Sequence, residues 1–513
     1  VGRVDFLGAQ ANDLTFQAAW VLRPIDRLAR RCVGMTVVEL ASELAGGDFG
    51  DARLNKRAAS MARLLGQCPN FSIPAALKSK ADIEAAYRFF NNDSVTPDRI
   101  FESHIEATYR RIDTVDFALL VQDTTEIDLT RPQQQVEGAG PMDCESRRGA
   151  FFHPMIAFDA AGVPLGIVGQ KTWTREEISR ATKAEKTKKR RKVPIEDKES
   201  YRWIEGLRWA ENAATACPET TIVCVGDSES DIYDLFAAAT SSEQPNLHLL
   251  VRAGQNRNTT EHQDWLEQVR STTKIGDQTI AIRARIAKTG APKSARSRTR
   301  EARTAELEIR KATIEVCRPV NGGDRNLPAS ITVQVVLCEE MNPPAGEDPI
   351  RWMLVTTLSI DTDEDVQRVI SSYCVRWQIE VYFRTLKSGC KIERRRFEAI
   401  DRVFNALAFF SVIAWRVMYV CHLGRECPEM DCEVMFEPSE WKSVYSILGK
   451  PLPSQGCPSL NDVVRAIARL GGFMNRPQDH PGTQTLWIGL QRSYDLSNAW
   501  NTFGPNAKKI SND

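Results

Sequence analysis

The chain has 513 residues, too many for one ordinary hydrophobic core, so two to four domains are expected. Lysine plus arginine and aspartate plus glutamate both total 67, so the formal net charge is zero and any affinity for nucleic acid must come from local patches. The 13 cysteines are odd in number and contain no CxxC pair; Cys421, His422, Cys427 and Cys432 form a cluster whose spacing fits no common zinc pattern, and ordinary reduced thiols are the expectation.

Residues 1–34 begin with Val and carry Arg23, Arg27, Arg30 and Arg31 in an irregular setting. They read as a leader upstream of a start at Met35, the alternative being a short basic arm. From Met35 to about Glu106 the pattern is helical, beginning with an amphipathic stretch from Val37 to Leu44. Turn signals fall at Gly46-Gly47 and Gln67 to Asn70. Arg53, Lys56, Arg57 and Arg63 share the second helix, and Lys78, Lys80 and Arg88 follow. A basic helical face suits phosphate contacts, although a solvated surface explains it equally well.

The texture then changes. Phe117 to Val121 reads as a buried strand delivering Asp123, and Phe151–Phe158 and Val163–Gln170 as two more strands joined at Asp159 to Gly162. Lys183 to Lys192 is a basic loop, solvated by default. A helix from about Ser200 to Ala214 precedes the strand Thr221–Val225, which ends in Gly226-Asp227. The helix Ile232–Ala239 and the strand Leu247–Val251, closed by Arg252, complete an α/β unit with acids at strand ends, where such sheets place their sites. Between Arg252 and Trp352, Thr279–Arg285 and Ile331–Leu337 alternate as half-buried strands do, which predicts a β-rich insertion. Within it Arg283, Arg285, Lys288, Lys293, Arg296, Arg298, Arg300 and Arg303 stand against one acid, Glu301. Arg351 to Val355 returns to a core strand.

The helical region Asp361–Cys390 is the most informative. At about 100° per residue, Tyr373, Arg376, Glu380 and Lys387 fall within about 60° of one another. A carboxylate flanked by cations suits a metal ligand beside phosphates; the alternative is an exposed helix with i,i+4 ion pairs. Val375, Ile379, Phe383 and Leu386 would bury the neighbouring stripe. Further on, the apolar run Leu407 to Val420 is broken by Ser411 and Arg416 and too short for a bilayer, so it reads as a core helix with no membrane partner. No secretory signal is legible, and a cytoplasmic, nucleoid-associated protein is expected.

Asp123, Asp227 and Glu380 are the acids best placed to hold Mg²⁺ or Mn²⁺ for phosphodiester chemistry, although an Asp after a strand also serves as a plain helix cap. Gly-x-x-x-x-Gly-Lys, His-Glu-x-x-His and Gly-x-Ser-x-Gly motifs are absent.

Gln122-Asp123-Thr124-Thr125, Asp227-Ser-Glu229-Ser-Asp231-Ile232 and the Tyr373, Arg376, Glu380, Lys387 spacing together resemble the signature of the DDE-type bacterial transposases of the insertion-sequence-four class. The resemblance runs from Glu39 to about Trp500. It implies an RNase H-like mixed-sheet core with a helical N-terminal domain, a β-rich insertion and a helical C-terminal domain. The gap of 380 − 227 = 153 residues leaves room for that insertion. The implied divisions are 35–106 for DNA binding, 107–252 and 351–400 for the core, 253–350 for the insertion and 401–513 for dimerisation.

The resemblance further implies two divalent ions, Mg²⁺ with Mn²⁺ as substitute, on Asp123, Asp227 and Glu380, with Asp123 bridging. The reaction implied is nicking, hairpin formation and reopening at a transposon end, then joining of the 3′ end to target DNA. Trp352 matches a position that stacks on a flipped base, a core strand Trp being the competing reading. Arg252, Tyr373, Arg376 and Lys387 match phosphate-contacting or backbone-orienting positions, and Arg53 and Arg88 match DNA contacts of the N-terminal domain. Ala466 to Met474 resembles a dimerisation region, or else a plain amphipathic helix capped at Gly471. A homodimer on double-stranded transposon-end and target DNA is the implied assembly. The alternatives are a catalytically silent end-binding repressor and an RNase H-like nuclease without strand transfer.

Overall fold

The computed structural model describes residues 14–15 and 40–505, except 78, 132, 145, 177–192, 262–263, 283, 285–300 and 321–325. The proposed leader, apart from 14–15, the loop Lys183 to Lys192, Lys78 and the cations from Arg285 to Arg300, together with Arg283, lie outside the described residues.

A short helix, Leu40–Ala45, leads into α1 (Ala52–Gln67), α2 (Lys80–Phe90) and α3 (Pro97–Ile112). Asp51, Ser79 and Thr96 each accept an amide hydrogen bond from the first turn that follows, which is why the three helices start where they do. The chain then forms β1 (Phe117–Gln122), β2 (Arg148–Asp159) and β3 (Pro164–Trp173), the last two joined through Gly162 at φ +85°, a conformation that favours glycine. After α4 (Arg202–Ala216) come β4 (Thr221–Gly226), α5 (Tyr233–Thr240) and β5 (Leu247–Arg252).

These five strands take the order β3-β2-β1-β4-β5, with β1, β4 and β5 parallel and β2 and β3 antiparallel. That is the RNase H-like arrangement. β1 and β4 are almost uninterrupted apolar runs because helices and strands cover both their faces.

The insertion continues the same sheet instead of forming a separate body. β6 (Lys274–Ile282), β7 (Arg303–Cys317), β8 (Ser330–Glu340) and β9 (Arg351–Thr356) run antiparallel, and β9 docks on β5 through Leu354 opposite Arg252. Leu14–Thr15 pairs with the far edge of β6. β7 alternates buried Ala305, Leu307 and Ile309 with outward charged residues of both signs, so a charged outer face hides a strand.

The C-terminal part packs α8 (Ile400–Glu426), α9 (Pro438–Ile447), α10 (Leu460–Leu470) and α11 (Thr483–Phe503) together. α8 is long and apolar enough to cross a membrane, but its most apolar window is 89% buried inside the protein, so it is a core helix. Its Asn405 side chain donates to the Phe90 carbonyl at 3.1 Å and its Trp415 indole to the Pro164 carbonyl at 2.8 Å. The N-terminal helices and the central sheet thus share one apolar core across α8.

A buried polar knot fixes that junction. Glu43 accepts from Arg111 Nη1 at 2.7 Å and lies 2.5 Å from His104 Nδ1. His104 Nε2 accepts the Ile167 amide at 3.0 Å, so Nδ1 carries the proton and donates to Glu43. Burial pushes the Glu43 carboxyl up, but His104 and Arg111 outweigh it and hold it at about 2, while burial lowers His104 and keeps it neutral. Both groups release protons more readily folded than unfolded. Stability is therefore fully present above the ordinary histidine range and declines as pH falls from about 6.5 towards about 2. Glu43→Ala, which strands a buried guanidinium, is expected to cost about 3–5 kcal/mol in urea unfolding; a loss under about 1 kcal/mol contradicts this account of the junction.

Candidate active site

β1 and β4 are neighbouring parallel strands paired Val121 to Val225, so Asp123 and Asp227, each two residues further on, leave the sheet side by side. Neighbouring strands run about 4.8 Å apart, which sets the scale of their separation. Asp123 accepts the Thr124 amide at 2.7 Å and Asp227 the Glu229 amide at 2.8 Å, which orients both carboxylates. The Asp227 contact is also an ordinary cap of a short 3₁₀ turn, Ser228–Ser230.

Glu380 arrives from the other side, and not on one continuous helix as the sequence suggests. α6 (Asp363–Val375) stops at Arg376, and α7 (Gln378–Arg384) begins two residues later. The junction is tightened by i to i−3 bonds, Arg376 N–H to Tyr373 carbonyl at 3.2 Å and Trp377 N–H to Cys374 carbonyl at 3.3 Å. Thr385–Gly389 then widens into a π-helical turn carrying Lys387. Both irregularities shift the helical phase, so the wheel angles do not hold, yet Arg376, Glu380 and Lys387 still gather on the acid side of the sheet. Arg376 Nη1 lies 3.2 Å from Asp123 Oδ2.

Behind the acids lies a chain of hydrogen bonds that the sequence did not reveal. Arg202 Nε donates to Thr124 Oγ1 at 2.7 Å, and Arg202 Nη2 to Glu229 at 3.0 Å. Thr124 Oγ1 lies 2.8 Å from His153 Nδ1, and His153 Nε2 lies 3.1 Å from Gln122 Oε1. The Gln122 amide nitrogen donates to the Trp203 carbonyl, so its oxygen accepts, His153 donates from Nε2, and the Thr124 hydroxyl donates to Nδ1. Burial, then Arg202 and Lys171, hold His153 well below its usual range, consistent with a neutral ring. The network clamps the backbone on both sides of Asp123. No sequence spacing links Gln122, His153 and Arg202; only the β1–β2 pairing and the approach of α4 do.

The expected nucleic-acid contacts divide into two groups. Arg53 and Arg88 are well exposed, Arg53 beside Asp51 and Arg88 beside Glu84. Arg252 sits at the end of β5 with Nη2 3.3 Å from Ser228 Oγ, and Lys387 is half-buried, 3.8 Å from Glu393. Tyr373 and Arg376 are buried at the site's floor. Trp352, expected either to stack on a flipped base or to be a core strand Trp, is only 3% exposed and meets the Tyr373 ring edge-on at 5.6 Å. In this structure it is a core strand residue that braces Tyr373.

The electrostatics are those of a cation site. Burial pushes Asp123 well above the usual carboxylate range, Asp227 and Glu380 push it further, and Arg376 opposes them. Burial and Asp227 likewise raise Glu380 against Arg376, Arg384 and Lys387. Two ionised carboxylates about 5 Å apart repel by roughly 3 kcal/mol at an effective dielectric near 20. Three hard oxygen donors with one direct guanidinium partner fit a divalent metal such as Mg²⁺ or Mn²⁺. They do not close on one point: among the described residues, the one trio of ligand atoms within 4.8 Å of one another lies elsewhere.

Comparison with known proteins matches three stretches to family models: residues 40–95 to a transposase DNA-binding model, 213–415 to a transposase DDE domain, and 412–498 to the Transposase Tn5 dimerisation domain. The DDE match contains Asp227 and Glu380; Asp123 lies before it and joins them through the β1–β4 pairing. A solved chain described as the piggyBac transposase in a synaptic complex with hairpin DNA aligns over 95% of this chain and 70% of its own. The two chains are 11% identical, with a TM-score of 0.32.

A folded-state pKa above the unfolded value means that ionising Asp123 costs stability as pH rises beyond the ordinary aspartate range. In EDTA, Asp123→Asn is expected to melt no lower than the wild type, whereas added Mg²⁺ or Mn²⁺ raises Tm for the wild type only. Equal metal-induced shifts in both proteins contradict a metal role for Asp123.

Proposed function

We propose that Asp123, Asp227 and Glu380 are the catalytic acids of this chain, which belongs to the Tn5-like DDE transposases, metal-dependent nucleases and strand transferases that act on DNA. The observation that carries the assignment is the gathering of three mutually repelling carboxylates at the ends of β1 and β4 and on α7, with Arg376 against Asp123. Asp123, Asp227 and Glu380 would together hold the divalent ions. Two divalent ions, Mg²⁺ in the cell with Mn²⁺ as substitute, would activate the attacking hydroxyl and stabilise the leaving oxygen of a phosphodiester.

The chain's own residues hold the substrate. Arg252 and Lys387 flank the acids and neutralise DNA phosphates, while Arg376 and Tyr373 hold Asp123 and the backbone in register. Arg53 and Arg88 supply phosphate contacts from the N-terminal helices, which position the DNA without reading its sequence. The reaction we assign is hydrolysis of one strand at a transposon end, followed by attack of the freed 3′ hydroxyl on the opposite strand to give a hairpin. Hydrolysis reopens the hairpin, and the 3′ hydroxyl then attacks target DNA. A role for Trp352 against a flipped base requires its ring to leave the contact with Tyr373. The helices of 401–513 would pair two copies on the transposon ends in the cytoplasm, on nucleoid DNA, with 35–106 binding DNA and 253–350 extending the catalytic sheet.

The test is cleavage of a fragment bearing the element's own ends. Asp123→Ala, Asp227→Ala and Glu380→Ala are each expected to lower metal-dependent cleavage and joining by more than about 10³-fold while end binding persists. Binding without cleavage under any metal points to a repressor, and cleavage without end preference or joining to a simple nuclease. Arg53→Ala and Arg88→Ala are expected to weaken binding across sequences and to flatten the salt dependence by about one unit each; an unchanged slope removes them from the interface.

A further inference from the structure

Far from the catalytic acids in the chain, Asp431, Cys432 and Cys457 each place one ligand atom within 4.8 Å of the other two. The backbone builds this cluster. Asp431 and Ser459 form an antiparallel bridge, the Cys432 amide donates to the Pro458 carbonyl at 3.1 Å, and the Leu460 amide donates to the Met430 carbonyl at 2.6 Å. Cys432 is buried at the floor, Cys457 is half-buried, and Asp431 is exposed at the rim. The Cys457 thiol donates to Asp431 Oδ1 at 2.5 Å. This is not the grouping that the sequence spacing offered: the Cys421 thiol turns away to the Pro481 carbonyl at 3.2 Å.

We infer that Asp431, Cys432 and Cys457 form a site for one thiophilic divalent cation of the Zn²⁺ class, with a fourth position open to solvent. Two sulfurs and a carboxylate oxygen are the borderline-soft donors such ions take, and they discriminate against Mg²⁺. Tetrahedral coordination at about 2.3 Å spaces two sulfurs roughly 3.8 Å apart, within the limit that the three atoms already satisfy. The Asp431 carboxylate, at the exposed rim, moves outward from the Cys457 sulfur to take its place. The Glu433 amide donates to Asp431 Oδ1 at 2.7 Å, so a backbone donor outside the ligand set orients the carboxylate. The metal takes both sulfurs as thiolates, so binding displaces two protons to solvent as two metal–sulfur bonds and one metal–oxygen bond form.

The site joins the segment after α8 to the lead-in of α10, with α9 in the loop between. Glu433, beside the ligands, accepts from the Trp441 indole of α9 at 3.1 Å. All of it lies in the stretch matching the dimerisation model. Occupancy therefore fixes the α8–α10 junction and is independent of the catalytic metal.

The test uses the full chain under reducing conditions, with excess Mg²⁺ holding the carboxylate site. The wild type is expected to retain about one more Zn²⁺ per chain than Cys457→Ser after dialysis. With Co²⁺ it is expected to show sulfur-to-metal charge-transfer absorption that Cys457→Ser lacks and Asp431→Asn shifts. Zn²⁺ should raise Tm for the wild type only. Cys457→Ser changes one half-exposed atom, so it folds, and its matched Mg²⁺-dependent DNA cleavage checks this. Equal Zn²⁺ retention and equal Co²⁺ spectra overturn the inference, as does a Cys432–Cys457 disulfide together with no metal uptake after reduction.

Discussion

Two like charges held at the ends of neighbouring parallel strands are the constraint that the rest of the molecule accommodates. The pairing of β1 with β4 sets the spacing of Asp123 and Asp227 to that of the sheet itself. The strands cannot shift without exposing residues buried on both faces, so the acids cannot relax apart. α6 and α7 then bring a third acid towards them and a single guanidinium against Asp123. The folded protein holds this charge because the apolar core across α8 and the hydrogen-bond chain through Gln122, His153, Thr124 and Arg202 over-determine the backbone around it. A site that costs stability without cations and gains it with them is what metal-dependent chemistry requires.

Placement of the insertion follows from the same sheet. β9 leaves the insertion, pairs with β5 and feeds directly into α6, so β6 to β9 extend the catalytic sheet sideways while its acid-bearing end stays open. Arg252 ends β5 beside that opening, and the exposed Arg53 and Arg88 belong to helices anchored on α8. Cations on separate elements are thereby held at fixed positions by a shared core, which suits binding to a rigid, regularly charged duplex.

Legibility in the sequence tracked how local the determining physics was. Phe117 to Val121 and Thr221 to Val225 are continuous apolar runs ended by Asp-bearing turns, so both strands and the acids they deliver could be read directly. β7 was missed because charged Glu306, Glu308 and Arg310 on its outward face mask the inward alternation of Ala305, Leu307 and Ile309. The break at Arg376 and Trp377 has no glycine or proline to announce it, so one straight helix was expected. The strand of Trp352 was read correctly, but its burial against Tyr373 depends on α6 folding over β9, which no local pattern encodes. The pairing of Cys432 with Cys457 and the link from Arg202 to His153 are long-range contacts that no local spacing encodes.

The central claim, that Asp123, Asp227 and Glu380 form one cation-holding centre, is tested most directly by anomalous diffraction from crystals of the protein soaked in Mn²⁺. The account predicts anomalous density in contact with Asp123, with manganese ligated by Asp227 or Glu380 as well, and loss of that density in Asp123→Ala. Manganese that avoids these carboxylates, or binds unchanged when Asp123 is removed, would contradict it.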